Sequence, residues 1–349
     1  MKIRGKDYLL PVVGVGSWPR PKWMSGRVLG TVDGPDFLSF EAREKFEDCT
    51  RLAIQDQEML GFDVISDANQ YMEAATPFDY ELLFETIPNR IKGTVPYGPS
   101  VPFPGWEKFH TITVNSELKW VRPIFAPVLE VVRRYTDKPI KLNVFGVAGQ
   151  SLFLNDEYYG DPEALAFALA KVYNDEFKDL VSKGLVDIVQ FLDLSPNYMA
   201  TPYIADTVNA ATEGVDADIW VHSCMGNATD RFYVPGSADV MMPDALKINM
   251  QVLHLALAHP LRSPDLDMFK KWPLPRNVAL GAGVVDVKDP TPDGVDTIVA
   301  RIERILEVVD PNQVVLMPDC GWMNKLRHTA WDKNAELVAA ANIVRARYQ

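Results

Sequence analysis

The chain has 349 residues, of which 47% are hydrophobic, so it has enough apolar material for a large buried core. Its formal net charge of −12 makes a nucleic acid or an anionic membrane an unfavourable partner. The amino-terminal residues predict neither a signal peptide nor a membrane-spanning helix. Three cysteines are too few for a disulfide framework and indicate a reducing compartment. We therefore expect a globular protein of the cytoplasm.

Short apolar, β-branched runs alternate along the chain with longer amphipathic stretches. Most of the runs are apolar on both faces, as parallel strands buried under helices are. The eight predicted strands are Val12–Gly16, Val64–Asp67, Leu142–Val147, Ile188–Leu192, Ile219–Ser223, Val252–Leu257, Val278–Ala282 and Val314–Met317. The predicted helices are Phe40–Leu60, Pro162–Lys183, Val295–Val309 and Trp331–Tyr348. This alternation predicts an α/β fold, a single (β/α)8 TIM barrel.

The stretch between residues 81 and 123 interrupts the alternation. Its glycines and prolines, with aromatic residues between them, predict a long excursion after the second strand, either a hairpin or a lid. No internal repeat or linker divides the sequence, so residues 1–349 are predicted to form one catalytic domain. TIM barrels carry their chemistry at the carboxyl ends of the strands, and the residues that follow each strand are therefore the candidates for function.

The most distinctive of these candidates are a histidine and two cysteines. In His222-Ser223-Cys224 the first and third side chains face the same side of an extended strand end. Cys320 follows the last strand, and a barrel brings the fifth and eighth strands onto one rim. One imidazole and two thiolates would hold a catalytic Zn²⁺ with a fourth position open to substrate. The spacing alone also allows the alternative of buried core cysteines and a hydrogen-bonded histidine.

Five segments in order carry a resemblance to a known family. They are Val15-Gly16-Ser17-Trp18-Pro19-Arg20-Pro21, Gln55-Asp56-Gln57-Glu58 with Gly61-Phe62-Asp63, Ser66-Asp67-Ala68-Asn69-Gln70, Val221-His222-Ser223-Cys224-Met225-Gly226-Asn227 and Pro318-Asp319-Cys320-Gly321. Together they resemble the C-terminal catalytic domain of cobalamin-independent methionine synthase and its single-domain relatives, which include epoxyalkane:coenzyme M transferases. The resemblance implies a TIM barrel, a bound zinc and the transfer of an alkyl group to a thiol. It places the zinc ligands at His222, Cys224 and Cys320.

The sequence departs from the family at the remaining zinc ligand. The family's glutamate on the sixth strand corresponds to Ala256, or in another register to Asn249. Alanine cannot bind a metal. His254 shares the strand face of Ala256 and is either a substitute ligand or a packed core histidine. We expect three protein ligands, with the substrate sulfur as the fourth.

The family's homocysteine-binding acids are also replaced. Its Gly-Glu after the second strand is Ala68-Asn69, and its aspartate after the fourth strand corresponds to Leu192, with Asp193 one residue away. Its catalytic histidine corresponds to Lys288. A buried ammonium without a carboxylate partner is costly, so we expect an anionic substrate or leaving group that lacks an amine. Asp193 and Lys288 are the candidate catalytic residues, Lys288 as an anion clamp or proton donor, or alternatively as a solvated loop lysine.

Five further residues are candidates for substrate binding. They are Ser17, Trp18, Asn69, Gln190 and Asp286. Ser17 matches a substrate-binding position of the family, and the alternative is a turn cap. Trp18 would form a wall of the pocket, and the alternative is packing.

The leading hypothesis is a zinc-dependent alkyltransferase in which a zinc-activated thiolate attacks an alkyl donor. The substrates would be a small thiol and a methyl group on nitrogen, oxygen or a corrinoid, with a corrinoid protein as one candidate donor. One alternative is a short methionine synthase that methylates homocysteine, and another is thiol addition of the epoxyalkane:coenzyme M transferase kind. A barrel that has lost catalysis and binds a small ligand is the alternative from another class. Ala256 and Asn69 favour that last alternative, which predicts no bound zinc.

Overall fold

The computed structural model describes residues 1–24, 40–71, 90–95, 98–103, 106–192, 201–224, 236–323 and 325–348. The strands within these ranges are β1 (Lys2–Ile3), β2 (Lys6–Asp7), β3 (Ile65–Ser66), β4 (Ile91–Val95), β5 (Ser100–Phe103), β6 (Trp106–His110), β7 (Thr113–Trp120), β8 (Ile140–Phe145), β9 (Asn155–Asp156), β10 (Ile188–Leu192), β11 (Asp218–Ser223), β12 (Val252–Ala256), β13 (Ala279–Val285) and β14 (Val314–Pro318). The helices are α1 (Phe40–Leu60), α2 (Ala126–Arg133), α3 (Val147–Ser151), α4 (Pro162–Ser182), α5 (Ile204–Thr212), α6 (Met268–Lys271), α7 (Val295–Leu306) and α8 (Arg327–Arg345). Of these helices, none has the length and apolarity that a membrane crossing requires.

Seven strands form one curled parallel sheet, in which β3, β8, β10, β11, β12, β13 and β14 are neighbours in that order. Residues 12–16, which were expected to form a strand, do not form a regular one. They occupy the place of an eighth strand and join the sheet through isolated bridges. Val12 pairs with Leu316 of β14, and Val13 pairs with Val64 beside β3, so this segment contacts both edges of the sheet. The prediction of eight regular strands in a closed barrel was therefore wrong in this part, although the α/β parallel architecture is confirmed.

A glycine of this segment lies close to a strand of the sheet. Glycine weakens a strand and often marks a close approach of the backbone to other atoms. A Cβ atom at Gly16 would lie 2.7 Å from the side-chain nitrogen of Asn143 on β8. Residue 16 thus packs closely against β8, and a side chain at this position would collide with Asn143.

An apolar layer fills the inside of the curled sheet near the amino ends of its strands. Its members share one cluster, separate from the larger core between sheet and helices, and include Val13, Val64, Ile188, Trp220, Val252, Ala279 and Val315. Because side chains alternate along a strand, the inward positions two residues further on lie nearer the carboxyl ends. Three of these positions carry the polar residues Gln190, His222 and His254.

The predicted excursion contains antiparallel strands in the part that the structure describes. Strand β4 pairs antiparallel with β7, which also pairs parallel with β9, and β5 pairs antiparallel with β6. Residues 81–89, 96–97 and 104–105 of the predicted excursion lie outside the described residues. A lid function for this segment stays a prediction.

Candidate metal centre

The predicted metal ligands meet at the carboxyl ends of β11 and β14. The Sγ atoms of Cys224 and Cys320 are 3.8 Å apart, and Cys320 Sγ is 3.6 Å from Nε2 of His222. All three donor atoms lie within 4.8 Å of one another. His222 is fully buried, and the two cysteines are half-buried. The curl of the sheet brings together residues that are about a hundred positions apart, and the group they form could hold a metal ion.

The electrostatics of the two thiols favours a cation between them. The hydrogen bond to Cys224 and burial raise the pKa of the Cys320 thiol well above its usual value, and the positive charge of Lys288 partly opposes this. Two thiols in contact resist ionisation, because each thiolate would repel the other. A bound cation removes that repulsion. By contrast, burial alone raises the pKa of Cys49 in α1 to about 12, and this cysteine belongs to the apolar core.

His254 supports the group from the neighbouring strand and is not one of its donors. It is the register partner of His222, and the two Nδ1 atoms are 2.5 Å apart. Its other ring nitrogen, Nε2, lies 3.0 Å from the carbonyl oxygen of Pro318. Burial, with the charges of His222 and Lys141, lowers the pKa of His254 well below its usual value. Since both nitrogens are occupied, His254 does not take the place of the missing glutamate.

The structure decides between the two candidate positions for that glutamate. Asn249 precedes β12, where its backbone N–H donates to Asn209 Oδ1, and so lies at the amino end of the strand. Ser223 pairs with Leu255, which places Ala256 beside Cys224 at the carboxyl end. Ala256 is therefore the position next to the metal group, and its methyl group supplies no ligand.

Asp67 is a buried carboxylate at the same rim, to which the sequence analysis assigned no role of its own. Its Oδ2 accepts a hydrogen bond of 3.1 Å from Nδ2 of Asn69, which also donates to the hydroxyl of Tyr71. Within the part of the chain that the structure describes, Asp67 Oδ1 has no hydrogen-bond partner. Burial raises the pKa of Asp67 to about 7, against a hydrogen bond from Tyr71 and the charge of Lys141. The sequence places this residue at a strand end, where aspartate is common, and only the packing shows that it is buried.

The backbone beside Asp67 is held in an unusual conformation. Ala68 and Asn69 have φ angles of 61° and 49°, in the left-handed region that disfavours side chains other than glycine and asparagine. Strained residues of this kind are concentrated at functional sites. The turn aims the side chain of Asn69 back toward Asp67.

Two predicted binding residues at the first strand lie in different surroundings. The Ser17 hydroxyl accepts a hydrogen bond of 3.0 Å from the N–H of Met323, which anchors the turn that follows Cys320. The Trp18 indole instead points toward α1, where it donates to Asp56 Oδ2 over 2.9 Å. The structure thus places Ser17 beside the metal group and directs the Trp18 ring away from it.

The remaining predicted residues are divided between the interior and the rim. Gln190 is fully buried, where it donates to the Val15 carbonyl oxygen and accepts from Nζ of Lys141. Asp286 accepts a hydrogen bond from the N–H of Lys288, and both are largely buried after β13. Asp193 lies outside the described residues.

Comparison with known proteins places this site in a family. A family model described as "Cobalamin-independent synthase, Catalytic domain" matches residues 161–343, just over half of the chain. The chain belongs to the cobalamin-independent methionine synthase family. This range includes the three candidate ligands and the supporting His254.

Relatives of this family match along nearly the whole chain. The chain is 30% identical to 2-hydroxypropyl-CoM lyase of Xanthobacter autotrophicus, over 99% of this chain and 98% of that protein. It is 27% identical to methionine synthase of Pyrococcus horikoshii, over 97% of this chain and 93% of that protein. The structure of a B12-independent methionine synthase from a Shewanella species, in complex with selenomethionine, superimposes with a TM-score of 0.80 at 22% identity and covers 98% and 99% of the two chains. This last similarity shows a shared TIM-barrel-like fold.

Proposed function

We propose that this protein is a zinc-dependent enzyme that transfers an alkyl group to a substrate thiol. The proposal rests on two of the separations between the three donor atoms. In a tetrahedral zinc centre with Zn–S near 2.3 Å and Zn–N near 2.0–2.1 Å, two sulfurs are about 3.8 Å apart and a sulfur and a nitrogen about 3.6 Å. The corresponding separations here are 3.8 Å for Cys224 and Cys320, and 3.6 Å for Cys320 and His222.

The donor set fits a catalytic ion better than a structural one. Structural zinc sites in proteins have four protein ligands, whereas catalytic sites have three and leave one position open. Ala256 beside Cys224 leaves room where the family has a further ligand. Zinc bound at this site would lower the pKa of a substrate thiol and so supply a thiolate at neutral pH.

Lys288 supports an anionic thiol as the acceptor. Its charge lowers the pKa values of Cys320 and of Asp319, two residues beside the metal group, although other effects raise both. A substrate that carries a sulfonate or carboxylate would meet this cation close to the metal. The 2-hydroxypropyl-CoM lyase at 30% identity favours a thiol of the coenzyme M kind, which has no amine.

A second candidate is a short methionine synthase that methylates homocysteine. Asp67 favours it, since its buried Oδ1 atom has no partner among the described residues and could accept a hydrogen bond from an ammonium group. This carboxylate would take over from the glutamate that Asn69 replaces. The methionine synthase of Pyrococcus horikoshii, at 27% identity, supports the same reading.

The close contact of the thiols also supports a reducing location. Two sulfur atoms 3.8 Å apart would readily form a disulfide in an oxidising compartment, and this would destroy the site. We therefore propose a cytoplasmic enzyme.

Metal content and thiol binding test the proposal together. The purified protein should contain about one zinc per chain, Cys320→Ser and Cys224→Ser should lose most of it, and Cys49→Ala should keep it as the matched cysteine control. Zinc-edge absorption should then gain one sulfur neighbour with 2-mercaptoethanesulfonate and not with homocysteine. A protein without zinc would overturn the proposal. A new zinc–sulfur contact with homocysteine, followed by methionine formation, would establish the second candidate instead.

A further inference from the structure

The two buried histidines of the metal centre meet edge to edge. Their ring centroids are 4.6 Å apart, their planes differ by 23°, and their Nδ1 atoms approach to 2.5 Å between the centroids. This approach leaves room for one hydrogen between the nitrogens. One Nδ1 must therefore donate and the other must accept.

The carbonyl oxygen of Pro318 decides which ring is the donor. A carbonyl oxygen only accepts, so Nε2 of His254, 3.0 Å away, carries a hydrogen. The neutral ring of His254 then has its lone pair on Nδ1, and the hydrogen between the rings belongs to His222. Nε2 of His222 is left with a free lone pair at the position 3.6 Å from the Cys320 sulfur.

We infer that His254 is a positioning residue, which holds His222 in the one tautomer that can bind a metal through Nε2. The inference rests on the proposed zinc function and assigns to His254 a task other than ligation. A metal-binding histidine commonly donates its second N–H to a protein acceptor, which orients the ring and strengthens the bond to the metal. In this protein the acceptor is the lone pair of a second imidazole.

The neighbouring strands are built around this pair. A Cβ atom at residue 281, the register partner of His254, would lie 2.8 Å from the His254 Cβ, and the glycine found there leaves the ring its place. Pro318 is the last residue of β14 and stands two positions before Cys320. A single strand thus supplies one metal ligand and also the carbonyl group that fixes the tautomer of another.

Nitrogen NMR can read the two tautomers directly. The chain has five histidines, so long-range ¹H–¹⁵N spectra of the zinc-loaded protein can be assigned by single substitutions. We expect a hydrogen on Nδ1 of His222 and on Nε2 of His254. A hydrogen on Nε2 of His222, or on Nδ1 of His254, would overturn the inference.

Zinc affinity, measured by competition with a chromophoric chelator, is the second readout. His254→Leu should bind zinc about 10–100-fold more weakly than the wild type, as loss of an outer partner of a ligand does. His254→Gln retains a carbonyl acceptor and should recover part of the loss, whereas the control His259→Gln should bind as the wild type does. If the wild type binds zinc and His254→Leu binds it equally well, the inference alone is wrong. If the wild type binds none, the proposed function is wrong, and the inference falls with it.

Discussion

Replacement of Asp67 by asparagine measures how much a buried carboxylate at the rim lowers the free energy of unfolding. Asparagine keeps the shape and an oxygen that can accept from Nδ2 of Asn69, but it does not titrate. In the wild type, burial raises the pKa of Asp67 from 3.8 to about 7. The native state therefore holds a proton between these pH values that the unfolded chain releases.

The sign and size of the effect follow from this difference in proton binding. Because the native state binds more protons, the free energy of unfolding of the wild type falls as the pH rises from about 4 to about 7. For one group, the free energy of unfolding falls by about 1.4 kcal/mol per pH unit, and by about 4 kcal/mol over this whole pH range. The contribution is present below the unfolded pKa and is lost above the folded one. Asp67→Asn lacks it, so the variant should gain stability relative to the wild type as the pH rises.

Urea unfolding at pH 4.5, 5.5 and 6.5 measures the difference. The stability of Asp67→Asn minus that of the wild type should grow by about 1.4 kcal/mol at each step. Asp319, whose pKa burial also raises to about 7, is present in both proteins and cancels. Asp332→Asn, at an exposed position of α8, controls for the loss of one negative charge. If the difference in stability stays constant across these pH values, Asp67 is ionised in the native state at all of them, and burial does not raise its pKa as described.

Two further substitutions test the anion clamp at Lys288 and the hydrogen bonds of the buried Glu176. Lys288→Met should raise KM for 2-mercaptoethanesulfonate at least ~10-fold, because one ion pair with the sulfonate is lost. The zinc content should not change, and KM for an uncharged thiol such as 2-mercaptoethanol should change little. Lys270→Met, at an exposed position, is its control, and an equal rise in KM for both thiols would refute the clamp. Glu176→Gln should lower the free energy of unfolding by about 2 kcal/mol, because the buried carboxylate accepts one indole and two backbone N–H groups that an amide cannot all satisfy. Urea unfolding beside the exposed control Glu163→Gln checks this, and equal stabilities would contradict it.

The strands could be predicted because parallel strands are apolar on both faces. Ile188–Leu192 was predicted without error, and helix Phe40–Leu60 has the predicted bounds. The first strand was predicted wrongly, since its apolar residues match the pattern of a strand but the segment joins the sheet only through isolated bridges. A pattern of hydrophobicity does not record how close two backbones come.

The candidate metal ligands were predictable from covalent spacing, from the order of the strands and from the family resemblance. His222 and Cys224 are two residues apart on one strand, so the sequence alone places them together. The task of His254 depends on a carbonyl oxygen 64 residues away along the chain, and no local pattern contains that contact. The importance of Asp67 likewise depends on desolvation, which only the packed structure shows.

The bridging of the sheet by residues 12–17 has a consequence for how the chain folds during synthesis. Val12 pairs with Leu316, more than 300 residues later, and Arg345 donates to the carbonyl oxygen of Leu10. At a translation rate of about 5–20 residues per second, roughly 15–60 s separate the emergence of these partners from the ribosome. During that interval the backbone groups of the early segment that later face β14 have no partner on that side, and such edges invite aggregation. The arrival of β14 also brings Cys320 to His222, so the candidate metal centre is assembled when this edge is covered.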